Sequence, residues 1–269
     1  MTVITTLITN SCTVHATDSL LTSAFGNGSV RPQEYLNSKI IKVETFRGAM
    51  SYFGLATFNG FNTRLWLTSQ LPKASGKTAE EFANFIGQGL TDIYKLLDII
   101  NNPNCGLGIH FSCYELIGND YYPEMFFITN FHSVESGKVN PEGFICTRDT
   151  YQTLTREKFI PIHSTEQYRK KVKDYVEQRG LIWFNNGDPT LFNPTAKAIF
   201  ELFMTMNRRG DLIQPFGPKE CRFLARRPVE IVKNTQHDFC IPERRLVGGK
   251  IHDLSITPSG QYESSSGDA

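Results

Sequence analysis

Four residues in the first fifth of the chain have the types and order that amide chemistry uses: Thr2, Asp18, Lys39 and Gly54. A threonine hydroxyl is a poor nucleophile by itself, but a free α-amine on the same residue can take its proton. Thr2 would carry that amine once Met1 is removed. Thr is small enough for methionine aminopeptidase to act before it, and the following Val3 is permissive. An α-amine has an unperturbed pKa of about 8, close to the working range of a general base. A nearby cation lowers it further, because two positive charges disfavour each other. Lys39 is the candidate cation, Asp18 the anion that holds it, and the Gly54 N–H the donor to an oxyanion. Position alone says little about Thr2, since Thr is a common second residue that opens a strand.

The surrounding elements must bring these residues together. Residues 2–9 are rich in Thr, Val and Ile and read as a strand. Asn10-Ser11 reads as a turn and residues 12–16 as the returning strand, which carries Asp18 back toward the start of the first. Residues 24–38 contain Gly26, Gly28 and Pro32 and read as a loop. Residues 39–46 and 49–53 read as two further strands, with Gly54 closing the second. A helix is expected over 55–71, so that Gly54 stands at a helix entrance, where backbone N–H groups point outward. A clearer helix follows Lys77: Thr78 and Glu81 form a capping-box pair, and Phe82, Phe85, Ile86, Leu90, Ile93, Leu97 and Ile100 recur at helical spacing.

Beyond it, residues 107–116 and 125–131 read as strands around a Gly118-Asn119-Asp120 turn, and 133–165 is polar and weakly periodic. Helices are expected at 168–178, 195–207 and 221–234, where Pro228 interrupts the last or marks its start. Strands are expected at 181–184 and 250–257, and the Ser/Gly-rich tail 259–269 reads as disordered. Strands, helices, strands, helices, strand is the order of an α+β layered fold. No G-x-G-x-x-G follows a strand, and Gly106-Leu107-Gly108 is too little to carry a nucleotide site.

Composition bounds the rest. The 269 residues suit one large domain or two small ones, and 40% apolar content can build a core without metals or disulfides. Lys plus Arg number 28 against 27 acids, which lacks the basic excess of a nucleic-acid binder. No apolar run approaches a membrane span. The start MTVITTLITNSC lacks a basic n-region and a long apolar stretch, so no secretory signal is expected. Cys12, Cys105, Cys113, Cys146, Cys221 and Cys240 form no C-x-x-C pair and read as free thiols of a cytoplasmic protein. His110, His132, His163, His237 and His252 show no metal-ligand spacing, and no metal or cofactor is expected. His15 reads as a strand-face histidine, and Arg169-Lys170-Lys171 as a solvated helix face.

Together, Thr2, Ala16-Thr17-Asp18-Ser19, Lys39-Ile40-Ile41 and Gly54-Leu55-Ala56 resemble the proteasome β-type group of N-terminal-nucleophile (Ntn) hydrolases. In that family an Asp follows the Thr at this spacing, inside an Ala-Ala-Asp-Ser type motif. The Lys precedes two apolar residues, as Lys39 does, although Lys39 comes several residues late, after the loop ending at Ser38. Near the other end, Leu246-Val247-Gly248-Gly249-Lys250-Ile251 resembles the family's Ser-Gly-Gly turn and last strand. The departures are Val247 where the family has Ser, and Arg244 where it has Asp. Asp188 is the candidate substitute for the Ser-containing loop that steadies the nucleophile.

The resemblance implies a four-layer αββα sandwich of two antiparallel sheets. Residues 1–258 would form one Ntn-hydrolase-like domain with an insertion around 133–180. It implies a threonine-nucleophile hydrolase, most simply a peptidase, with Thr2, Asp18, Lys39 and Gly54 as its catalytic set. It also implies self-association into a homo-oligomer or ring and makes an ATPase a candidate partner. Two alternatives stay open: a catalytically inactive ring or assembly protein, and a small-molecule amidase whose pocket is capped by residues 133–180.

Overall fold

The computed structural model describes residues 3–24, 30–34, 38–133, 138–148, 174, 176, 181–187, 190–212, 217–241, 245 and 247–265. The chain opens on β1 (Ile4–Ile8) and β2 (Thr13–Asp18), joined through the Asn10-Ser11 bend. β3 (Leu20–Ala24) and β4 (Val30–Glu34) then pair as a hairpin of their own, so the expected loop 24–38 is in part strand. Pro32 is accommodated because this two-stranded sheet consists only of edges. β5 (Ile40–Val43) ends in a short 3₁₀ turn, Glu44–Phe46, before β6 (Gly48–Gly54).

The helix expected at 55–71 begins eight residues late. A tight hairpin, β7 (Thr57–Phe58) and β8 (Phe61–Asn62), comes first, and α1 (Thr63–Gln70) follows with Asn62 as its N-cap. Asn59 and Gly60 both have positive φ, at 44° and 85°, the conformation an Asn-Gly hairpin turn requires. α2 (Ala79–Leu96) starts where expected. The Glu81 N–H donates to Thr78 Oγ1 at 3.2 Å, and the Thr78 N–H to Glu81 Oε2 at 2.8 Å.

β9 (Leu107–Ile117) and β10 (Asp120–Thr129) form a long antiparallel pair. β11 (Phe131–Ser133), β12 (Lys138–Val139) and β13 (Ile145–Arg148) occupy part of the weakly periodic stretch. The helix expected at 168–178 lies largely outside the described residues; Asp174 and Val176 are helical. β14 (Ile182–Asn186) precedes α3 (Phe192–Arg209) and α4 (Pro218–Phe239). α4 runs straight through Pro228. Cys221, Ala225, Pro228, Val229, Val232 and Gln236 all lie on its buried face, and that packing outweighs the local cost of the proline. β15 (Ile251–Ile256) pairs with β16 (Tyr262–Glu263), which lies in the stretch read as tail.

Two five-stranded antiparallel sheets result, in the orders β14-β1-β2-β15-β16 and β13-β10-β9-β6-β5. α4 packs on β1, β2 and β15, and α3 on β14; α2 packs on β9, β10 and β13. The apolar faces explain this division. Leu7, Val14, Ala16 and Leu181 meet Phe203 of α3 and Ala225 of α4. Phe111, Phe126 and Ile128 meet Phe82, Ile86 and Leu90 of α2. β1 and β2 touch β6, and β2 and β15 touch β5, so strands of the two sheets also meet each other.

Candidate active site

Asp18 ends β2 with a neighbour on each side. The β1–β2 register pairs Ile4 with Thr17, which brings Val3 beside Asp18, and the β2–β15 register pairs Asp18 with Ile251. Its carboxylate is fully buried and collects donors from both sides. The Val3 N–H donates to Oδ1 at 3.2 Å, and the Gly248 N–H to Oδ2 at 3.1 Å. Lys39 Nζ lies 3.4 Å from Oδ1 and donates to the Leu20 carbonyl at 2.6 Å. Lys39 is also fully buried. Burial pulls its pKa below the ordinary lysine value, and the adjacent Asp18 charge opposes that shift. Among the residues expected at the site, Asp18 and Lys39 are thus brought into contact.

The Gly248-Gly249 turn is locked onto the same place. The Lys250 N–H donates to Ser19 Oγ at 2.7 Å. Gly249 has φ +68°, and a Cβ there would stand 2.3 Å from Ser19 Oγ, so only glycine fits. Val247 is buried among Val3, Phe192, Val229 and Val232, and its N–H donates to Gln236 Oε1 at 2.9 Å. A cavity of about 180 Å³ beside this turn is lined by Leu20, Lys233, His237, Arg245 and Val247 to Gly249.

Gly54 is the last residue of β6 and has φ +92°. A Cβ there would come 2.1 Å from the Gly106 carbonyl oxygen, which accepts the Leu55 N–H at 2.8 Å. The register of Ile40 with Ser51 puts Gly54 toward the end of the sheet at which Lys39 enters β5. With α1 starting only at Thr63, Gly54 does not stand at a helix entrance, because the β7–β8 hairpin intervenes. Thr2, Asp188 and Arg244 lie outside the described residues.

A second buried polar group joins the two sheets, and sequence reasoning missed it. His15 Nδ1 lies 2.7 Å from Ser51 Oγ, and its Nε2 lies 2.7 Å from Ser112 Oγ. Thr6 Oγ1 lies 2.9 Å from His110 Nδ1 and 3.3 Å from His15 Nδ1. Asn186 Nδ2 lies 2.6 Å from His110 Nε2. Burial lowers the His15 pKa to about 3. Burial, followed by the charge of His15, holds His110 well below the usual range. The signal was parity: Thr6, His15, Ser51, His110 and Ser112 are polar residues on strand faces that turn toward the opposite sheet.

Among the described residues, no group of three or more His, Cys, Asp or Glu side chains could hold a metal ion, and no helix is long and apolar enough to cross a membrane. No family model and no curated protein matches the chain. Solved structures do. A mutant of Anbu from Hyphomicrobium sp. strain MC1 aligns over 98% of this chain and 87% of its own, with 11% identity and a TM-score of 0.52. The fold is similar to that of Anbu. Anbu from Yersinia bercovieri, described as an ancestral beta-subunit, aligns over 97% of this chain and 85% of its own, with 10% identity and a TM-score of 0.44. At 11% identity the likeness to Anbu is one of fold.

Proposed function

We propose that this chain is a proteasome-like hydrolase that uses the free N-terminus of Thr2, exposed by removal of Met1, to cleave peptide or amide bonds. The observation that carries this reading is the buried Asp18–Lys39 pair with the Val3 amide on Asp18. The Val3 nitrogen is bonded directly to the Thr2 carbonyl carbon, so the pair is tethered one peptide bond from the proposed nucleophile. Burying two charges costs several kcal/mol per ion before their attraction repays it, and a catalytic cation with its holder gives that cost a purpose.

In this reaction the Thr2 amine takes the hydroxyl proton and Oγ attacks the substrate carbonyl. The Gly54 N–H donates to the oxyanion, an effect often worth about 2.7–4 kcal/mol per donor. The ammonium returns its proton to the leaving amine. Water, deprotonated by the same amine, then cleaves the ester and restores the hydroxyl. Lys39 keeps the amine pKa low, and Asp18 fixes Lys39. The two sheets with helices packed on each support the αββα layering. Self-association into a ring, an ATPase partner and a cytoplasmic location belong to the same proposal, as does one domain spanning 1–258 with an insertion around 133–180.

One observation favours a second reading, an inactive ring or assembly protein. Val247, buried and apolar, occupies the place where the resemblance has a Ser that supports the amino terminus. Labelling by a threonine-directed covalent inhibitor separates the two. The hydrolase takes up label and loses it in Thr2→Ala, whereas the assembly protein forms a large oligomer with no label and no peptidase activity in either form.

A further inference from the structure

Cys12 and Cys221 come from opposite ends of the chain and meet beneath the β1–β2 turn. Both are buried in the cluster of Leu7, Val14, Ala16, Leu181, Phe203 and Ala225. Thr9 Oγ1 lies 3.7 Å from Cys12 Sγ and 3.9 Å from Cys221 Sγ, so one hydroxyl contacts both sulfurs. The Ser11 hydroxyl donates to Cys12 Sγ at 3.8 Å.

We propose that Cys12 and Cys221 are a modification site, a dithiol that closes reversibly to a disulfide and fastens the β1–β2 turn to the first turns of α4. Thr9 Oγ1 also donates to the Cys12 carbonyl at 3.0 Å and accepts the Ser11 and Cys12 N–H groups at 3.2 and 3.1 Å, so the hydroxyl that closes the turn is the one both sulfurs share. The two thiols are also unequal. The neighbouring Cys221 thiol draws the Cys12 pKa below the usual thiol value against the opposing effect of burial, helped by the Thr9 and Ser11 hydrogen bonds and the Arg222 charge. The neighbouring Cys12 thiol, and then burial, push that of Cys221 up. Cys12 is therefore the attacking thiolate and Cys221 the resolving thiol.

With a peroxide as oxidant the step balances. Cys12 sulfur attacks one peroxide oxygen and becomes a sulfenic acid, and the other oxygen leaves as water. Cys221 sulfur then attacks the sulfenic sulfur and expels a second water. Two thiols lose two electrons in total, and hydrogen peroxide takes them up. Entry is short, because Asn10 is exposed and Ser11 half-buried immediately before Cys12. The other half of α4 packs Val229 and Val232 against Val3 and Val247, so the cross-link would hold the helix that bears on the Val3 end of β1. None of this depends on Thr2 chemistry.

The test treats the full-length protein with hydrogen peroxide, alkylates it in denaturant and maps its peptides. The proposal expects alkylated cysteines to fall from six to four, with a linked Cys12–Cys221 peptide that thiol reductant separates. In Cys221→Ser the link is absent, and Cys12 is trapped as a sulfenic adduct by dimedone. Complete alkylation of both cysteines after peroxide would overturn the proposal. So would their separate oxidation to sulfinic or sulfonic acid with no linked peptide.

Discussion

Asp18 and Lys39 answer for each other, because each makes the other's burial tolerable. Asp18→Asn keeps an acceptor for the Val3 amide but takes the carboxylate charge away from the buried Lys39 ammonium, and Lys39→Met takes the ammonium away from the buried carboxylate. Breaking a buried pair from one side costs about 3–5 kcal/mol. Each single change is expected to lower the unfolding free energy by that order in urea titrations, and the double change by clearly less than the sum. Additive losses would mean that the two side chains do not act as a pair.

His15 and His110 give a second prediction at this scale. Their folded pKa values lie below the ordinary 6.5, His15 at about 3, so the unfolded chain binds protons that the folded one refuses. Stability is therefore full above about pH 6.5 and falls as pH drops from there toward 3, by about 1.4 kcal/mol per pH unit for each histidine. Urea midpoints measured between pH 7 and 4 should show this slope. His15→Asn should flatten it while lowering stability at every pH. An unchanged slope in that variant would assign the acid sensitivity to other groups.

At the scale of elements, the Gly248-Gly249 turn holds the end of β2 in place. Gly249→Ala meets both a left-handed backbone and the Ser19 hydroxyl, and strain of this kind costs about 1–3 kcal/mol. Its expected effect is a comparable loss of stability, together with faster amide exchange at Gly248, whose N–H would leave Asp18. Protected exchange at Gly248 in the variant would mean that the turn does not clamp the carboxylate.

Legibility also varied by element. α2 was readable because Thr78, Glu81 and a single apolar face all point to the same residues. β7 and β8 were missed although Asn59-Gly60 between Phe58 and Phe61 is a hairpin signal, because Phe58, Phe61 and Leu65 also fit a helical period. Pro32 and the glycines made 24–38 look like a loop, yet a hairpin made only of edge strands tolerates Pro32. The pairing of Asp18 with Lys39 was read from residue types and their order and strengthened by the family resemblance, since no local rule joins residues on different strands of different sheets. Parity marks the faces of the His15–His110 cluster, but no local rule joins residues that come from four strands of two sheets.

At the scale of the molecule, the length first suggested one large or two small domains, and the two ends of the chain prove to share one sheet, β1 and β2 lying between β14 and β15. The site elements therefore come from the first fifty-odd residues and from the Gly248-Gly249 turn, which explains why the motifs sat far apart in sequence. The central claim is that this architecture presents a free threonine amine. Intact-mass measurement of the protein purified from cells tests it most directly. The free-amine mechanism requires a mass lacking Met1, with an N-terminal sequence beginning at Thr2. A chain that retains Met1 has no free Thr2 amine and contradicts the proposed chemistry.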